Sequence, residues 1–199
     1  SKELLDFALD QAVELTNSAI GYIYYYSEER REFTLNTWSR NVMAECAIGE
    51  PQTVYPLEKT GIWGEAVRQR RPILVNDFAA PDPLKKGTPV GHASLRRYLT
   101  IPVERDGACV AVVGVANKLA PYDETDVRQL TLLMDAVWKI TERKQAEERY
   151  EQLFAEIFDG FAIHEMIFAP DGTPCDYRFL AANPAFERLT GLRAAAIVG

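Results

Sequence analysis

The chain has 199 residues, 47% hydrophobic and 26% charged, with a net charge of −7, enough for one domain with a sizeable core and a fragment of a second. Its pI near 5.0 excludes nucleic acid or an anionic membrane as a general partner, because both require a basic surface, so any basic patch must be local. Cys46, Cys109 and Cys175 are far apart and odd in number, which predicts neither a disulfide framework nor a zinc site and fits a reducing cytoplasm.

In chain order, Leu4, Leu5, Ala8, Ala12, Val13 and Leu15 recur at helical spacing and predict an amphipathic helix from about 2 to 16. Ile20–Tyr26 and Phe33–Ser39 are rich in β-branched and aromatic residues, and the charged turn 28–32 between them predicts a hairpin. After a less regular stretch, Thr60 is placed to N-cap a short helix that runs to Arg70 before Pro72. Ile73–Phe78 reads as a strand, and 79–96 as a long excursion carrying Lys85, Lys86 and His92. Tyr98–Glu104 and Cys109–Asn117 form a second hairpin across Asp106-Gly107. The longest apolar run, Val110–Ala116, is far short of the ~20 residues that span a bilayer. No signal peptide opens the chain, and the missing initial Met reads as a piece of something longer.

Asp123 caps a stretch of 36 positions, ending at Phe158, without Gly or Pro, long enough for a helix of roughly 54 Å. Val127, Leu130, Leu133, Met134, Val137, Trp138 and Ile140 supply an apolar face, whereas seven of the eleven residues 141–151 are charged. Apolar residues resume at Tyr150, Leu153, Phe154, Ile157 and Phe158. A rod leaving one core and entering another hydrophobic environment is a mechanical connection, and pairing with its copy in a coiled-coil homodimer stabilises such a helix in water. The fold class is α+β: an antiparallel sheet with helices packed on one face and loops or short helices on the other.

That element order, with Asn117-Lys118, Tyr122 and Asp126 after the last strand, resembles the GAF domain, a small-molecule-binding sensor module. The resemblance covers about residues 2–140. Cyclic-nucleotide-binding members carry Asn-Lys, a spacer, Phe, three residues and Asp-Glu; here Tyr122 replaces Phe and Val127 replaces Glu, so a cyclic nucleotide is not implied. What the family implies is a structural ion pair between Lys118 and Asp126. A second stretch, Asn183-Pro184-Ala185-Phe186-Glu187-Arg188-Leu189-Thr190-Gly191, with Phe161-Ala162-Ile163 and Tyr177-Arg178-Phe179 before it, resembles the opening of a PAS domain. The lead-in 142–148 resembles linkers of bacterial sensor kinases. These resemblances divide the chain into a GAF sensor domain (1–140), a charged helical linker (141–152) and the N-terminal part of a PAS domain (153–199). The layout implies a two-component sensor histidine kinase or a cyclic-di-nucleotide enzyme, with the output module outside this chain.

Strand alternation puts Phe33, Leu35 and Thr37 on one face and Thr34, Asn36, Trp38 and Arg40 on the other, and the second set reads as the wall of a ligand pocket beneath the loops. Tyr22 with Tyr24, and Tyr98 with Thr100, share faces; Asn76 or Asp77 closes the middle strand, and Trp63 serves as lid. The plain alternative is that these aromatic residues are core. His92, Arg96 and Arg97, with Lys85 and Lys86, form a candidate cationic rim for a carboxylate or phosphate, or else a solvated loop. The helix opened by Gly61-Ile62-Trp63-Gly64 is a weaker anion site.

Two other readings stay open. Some GAF-like proteins reduce free methionine sulfoxide with cysteines, and Cys46 and Cys109 lie in the corresponding domain, though neither has an evident activating base. A domain that binds nothing and only dimerises and spaces its neighbours would fill its own pocket. With only His92 and His164 available, the sequence carries no haem, flavin, bilin or metal signature and no catalytic triad. The expectation is a non-catalytic module with an unidentified small-molecule ligand.

Overall fold

The computed structural model describes residues 2–39, 53–85 and 94–199; Arg40, Cys46, Lys86 and His92 lie outside them. Two compact units divide the chain, Ser1–Thr141 and Glu142–Gly199.

The first unit opens with helix α1 (Lys2–Leu15), which buries Leu5, Ala8, Leu9 and Ala12 along one stripe. The Thr16 hydroxyl ends it by donating to the Ala12 carbonyl at 2.7 Å. Strands β1 (Ile20–Ser27) and β2 (Glu32–Trp38) form the first hairpin, and a short β3 (Val54–Pro56) adds to β2. Two 3₁₀ turns, Leu57–Lys59 and Ile62–Gly64, lead into α2 (Glu65–Gln69). Strands β4 (Ile73–Val75), β5 (Tyr98–Arg105) and β6 (Ala108–Ala116) complete an antiparallel sheet of order β3-β2-β1-β6-β5-β4. Asp106 (φ 50°) and Gly107 (φ 80°) make the two-residue turn between β5 and β6, the left-handed pair that matches strand twist.

The sheet separates two apolar layers. On one face α1 and helix α3 (Glu124–Glu156) pack Leu5, Leu9, Leu130, Met134 and Trp138 against Ile23, Ile101, Val113 and Val115. Each of these large side chains is worth about 1.5–3 kcal/mol on burial. On the other face the turns and α2 place Leu57, Ile62 and Ala66 over Tyr24, Phe33, Tyr98 and Val112.

Three expectations require correction. Thr60 does not cap the short helix: its hydroxyl donates to the Leu57 carbonyl at 2.6 Å, and the helix begins only at Glu65 after Gly64. The middle strand stops at Val75 because Asn76 and Asp77 turn their side chains to other backbone. On β2 the alternation breaks, since the β1–β2 register shifts between Ile23 and Tyr24. Leu35 then stands opposite Tyr24 and Trp38 opposite Tyr22, so Leu35 and Trp38 do not fall on opposite sides, as strict period two requires.

Beyond Thr141, α3 carries the i, i+4 pairs Arg143–Glu147 and Lys144–Glu148. The second unit contains the hairpin β7 (Ala162–Phe168) and β8 (Pro174–Ala182), then α4 (Pro184–Thr190) and α5 (Ala194–Ile197). Fully buried Asn183 is its organising residue. Its Oδ1 accepts from the N–H groups of Phe161 and Phe186, both at 2.8 Å, and its Nδ2 donates to the carbonyls of Ile157 and Asp159. One side chain thereby caps α4 and fastens it to the end of α3.

Gly114 shows how tightly the central strands are matched. A Cβ there would lie 2.4 Å from the Tyr22 ring, which crosses directly over it in the β1–β6 register. Gly114→Ala is therefore expected to destabilise the first unit by about 1–3 kcal/mol through overpacking. In a thermal-unfolding double-mutant cycle the loss is expected to shrink markedly when Tyr22 is also Ala.

Candidate functional site

On the loop-covered face, aromatic rings collect around Trp63, which the turn Ile62–Gly64 presents. Its ring centroid lies 4.7 Å from Phe33, 5.3 Å from Tyr24, 5.6 Å from Tyr55 and 6.3 Å from Tyr22. Tyr22 meets Tyr24 edge-on, and Phe78 meets Tyr98 edge-on, the arrangement that ring quadrupoles favour. Trp63 keeps its place because Arg68 ties down the preceding turns. The Arg68 guanidinium donates to the carbonyls of Leu57, Thr60 and Gly61 and pairs with Glu65 at 2.5 Å. Gly64 is needed here, since a Cβ would fall 1.9 Å from Thr60 Oγ1.

At the floor of this layer, hydroxyls from three central strand positions converge. Tyr22 Oη is hydrogen-bonded to Tyr98 Oη and donates to Thr100 Oγ1 at 3.3 Å, while Thr100 Oγ1 donates to the Val113 carbonyl at 3.1 Å. Burial pushes the Tyr22 phenol up to about 12, and burial also raises Tyr98 well above its ordinary value. Both are neutral at physiological pH.

Of the residues singled out from the sequence, Tyr24, Trp63, Tyr98 and Thr100 gather on this face. Asn36 and Trp38 line a groove of about 350 Å³ with Leu35, Thr37 and the α1 residues Lys2, Asp6 and Asp10. Asn76 makes a two-way clamp instead: its Oδ1 accepts from the Tyr122 N–H at 2.7 Å, and its Nδ2 donates to the Tyr122 carbonyl at 2.9 Å. Asp77 Oδ1 accepts from the N–H groups of Ala79 and Ala80 and shapes the start of the loop. Arg96 has an exposed side chain, and its N–H donates to Asn117 Oδ1.

Of the expected cationic rim, Lys86 and His92 lie outside the described residues, and Lys85 and Arg97 bind loop backbone. Lys85 donates to the carbonyls of Phe78 and Ala80 and sits 4.5 Å from the Phe78 ring centre. Arg97 donates to the carbonyls of Lys118 and Leu119. Both charges hold loop backbone, a use that sequence spacing alone does not disclose.

Where β6 hands over to α3, Lys118 Nζ reaches both Asp126 carboxylate oxygens at 2.7 Å, with the two side chains 15% and 4% exposed. Asp126 Oδ2 also accepts from the Asp123 N–H, while Asp123 Oδ1 accepts from Thr125 and Asp126, a reciprocal cap of the first turn. Tyr122 Oη meets Ser18 Oγ at 2.6 Å, which links the start of α3 to the end of α1. Sequence reading placed Tyr22 beside Tyr24 but missed Tyr55, Phe78 and the Arg68 brace as parts of this site. A glycine in the middle of a strand opposite Tyr22 was the available signal.

Cys109 is 2% exposed, its Sγ donates to the Ala111 carbonyl, and burial pushes its thiol up to about 11. At neutral pH roughly one in ten thousand such thiols is ionised, the opposite of an activated nucleophile. Among the described residues no group of three or more His, Cys, Asp or Glu side chains could hold a metal.

Comparison with known proteins settles the architecture. The GAF domain family description matches residues 1–142. The chain belongs to the GAF domain family. The chain is 49% identical over 156 residues to the methyl sulfide methyltransferase-associated sensor of Methanosarcina acetivorans, covering 78% of this chain. The chain spans only 16% of that relative's length. The GAF domain/HD domain protein from Geobacter sulfurreducens superposes with a TM-score of 0.55 at 16% identity, covering 73% of this chain and 94% of that one. Free methionine-R-sulfoxide reductase from Neisseria meningitidis, solved with its substrate, gives 0.50 at 20% identity over 76% and 83%. At such identities the two solved structures speak for the fold alone. No helix among the described residues is long and apolar enough to cross a membrane.

The tyrosine pair makes the GAF domain alkali-sensitive in a defined window. The folded Tyr22 pKa is raised above the ordinary phenol value of 10.0 to about 12, so the folded state holds the proton more tightly. The stabilisation is whole below pH 10 and is lost as pH rises towards 12. Denaturant midpoints are expected to fall between those pH values, with a flatter profile in Tyr22→Phe.

Proposed function

We propose that this chain is a non-catalytic sensory GAF module that binds a small molecule on the Trp63 face and passes a conformational bias along α3 to an output domain. The observation that carries this reading is one uninterrupted helix, Glu124–Glu156, whose first turn is clamped to the sheet by Lys118–Asp126 and Asn76–Tyr122. Tyr98, which ends the hydroxyl chain, touches Phe78, and Phe78 lies two residues from Asn76. A ligand that shifts this loop has a short route to the helix start, and the shift is bounded by its differential affinity for the two positions. The near relative's name, a sensor, supports the same reading.

Residues 153–199 are read as the opening of a PAS domain, and the output as a histidine kinase of a two-component system or a cyclic-di-nucleotide enzyme, all in the cytoplasm. Buried, protonated Cys109 argues against the methionine sulfoxide reductase alternative. In a chain joined to an output enzyme, ligand-dependent regulation is expected to vanish in Glu147→Pro, because proline in a helix interior costs about 3 kcal/mol, while Trp63→Ala is expected to abolish ligand retention measured by native mass spectrometry. Full regulation in the proline variant refutes the transmission role.

The domain is further proposed to act as a homodimer through its terminal helices. Phe7 and Leu15 of α1, and Leu132 and Ile140 of α3, are 62%, 46%, 63% and 54% exposed, apolar surface that a monomer leaves in water. Leu132→Glu is expected to shift sedimentation towards the monomer with little change in folding.

A further inference from the structure

We propose that Asn183 is a mechanical joint within the second unit, obliging α4 and the β7–β8 hairpin to follow any displacement of the end of α3. The inference rests on the reading of α3 as a transmitter and deepens it, by naming the side chain that receives the movement.

Four bonds fix the orientation of the amide. Phe161 and Phe186 present backbone N–H groups, each 2.8 Å from Oδ1, and an N–H requires an acceptor. Ile157 and Asp159 present backbone carbonyls, 3.3 and 3.0 Å from Nδ2, and a carbonyl requires a donor. The two ends of the side chain therefore serve different segments. Oδ1 holds the start of the hairpin and the first turn of α4, while Nδ2 holds the residues that close α3. The Asn183 backbone adds to the first set: its N–H donates to the Phe161 carbonyl at 2.9 Å, and its carbonyl accepts from the Glu187 N–H at 3.3 Å.

Little apolar burial competes with these bonds. Among residues 142–199, Asn183 and Ala185 are the buried ones, at 0% and 1% exposure, whereas Phe158, Met166, Phe168 and Tyr177 stay exposed. The hydrophobic contribution that ordinarily holds a helix to its neighbours is correspondingly small, so loss of a fully buried hydrogen-bonding group weighs more. The parts are also in close approach. A Cβ on Gly160 would lie 3.1 Å from Phe186 Cα, and the Phe154 ring of α3 meets the Phe161 ring edge-on at 5.9 Å. Beyond the joint, the Phe186 ring lies 5.8 Å from Phe179 of β8, and that ring lies 4.3 Å from His164 of β7. Movement of the α3 end thereby reaches a row of rings that crosses both strands of the hairpin.

The two ends of Asn183 are separable by substitution. Asn183→Asp keeps an oxygen in place of Oδ1, and aspartate caps helices as well as asparagine, but it sets a second oxygen against two carbonyls. Asn183→Ser also keeps a capping oxygen and lacks the NH2 group altogether. Amide hydrogen exchange across the full chain, read by nuclear magnetic resonance, tests the joint when the end of α3 is loosened by Ala155→Gly at an exposed position. Ala155→Gly is expected to speed exchange in the last turn of α3 about 5-fold, the helix-propensity difference between the two residues. A comparable increase is expected at Phe161, Phe186 and through α4, because coupled segments open together. In Asn183→Asp and Asn183→Ser, α4 is expected to stay protected and the effect of Ala155→Gly to remain confined to α3.

An α4 that ignores Ala155→Gly while Asn183 is intact overturns the joint and leaves a helix cap alone. Equal propagation in the two Asn183 variants overturns it too, since another contact then carries the movement. Loss of α4 protection in both variants with Ala155 unchanged also overturns it, because Asn183 is then a general scaffold for the unit. Exchange involves neither a ligand nor an output enzyme, so any of these failures leaves the transmission reading standing on the Glu147→Pro result.

Discussion

The junction between the last strand and the long helix depends on one buried ion pair, Lys118 with Asp126. Taking both charges out of water costs several kcal/mol, and close bidentate geometry recovers most of it. The net stabilisation is therefore small, but the pair determines where the helix starts. Lys118 follows the last residues of β6, and Asp126 lies in the first turn of α3 while also closing its cap. Shifting the helix by one residue would rotate Asp126 by about 100° and leave a buried ammonium unpaired. The start of the helix, as far as the first unit reaches, is thus tied to the sheet.

Around this junction, polar contacts replace what a longer β4 would have supplied. Asn76 leaves the ladder and holds Tyr122 by both backbone groups, and Tyr122 in turn reaches Ser18. The edge strand, the helix start and the end of α1 are therefore joined through neutral hydrogen bonds within a few residues of Phe78. The aromatic loop face and the helix are neighbours through these bonds, although the apolar layers on the two faces of the sheet do not mix.

Among the described residues, the loop face is built of rings and hydroxyls. Arg68, Lys85 and Arg97 all point their cations at carbonyl groups of the chain itself, which rigidifies the loops and leaves the centre to rings and hydroxyls. Gly114 gives the Tyr22 ring room to lie over the middle strand, and that brings its oxygen to Tyr98 and Thr100. A sheet without that glycine would carry a different floor.

Local patterns were sufficient for α1, the two hairpins of the first unit, the Asp106-Gly107 turn and the unbroken run through α3, because apolar spacing, turn chemistry and the absence of Gly and Pro are local properties. The faces were legible where strands are regular, as for Tyr24, Tyr98 and Thr100. They failed on β2, where a register shift opposite Ile23 and Tyr24 breaks period two, and such a shift is set by neighbouring strands. Local signals also misplaced the Thr60 cap and the end of the middle strand, and did not disclose the backbone partners of Asn76, Asp77, Lys85 and Arg97, since a polar side chain near a loop looks the same whether it faces a ligand or a distant carbonyl. Which backbone group lies within about 3 Å of it is decided only when segments 46 residues apart, such as Asn76 and Tyr122, are brought together by the packed sheet.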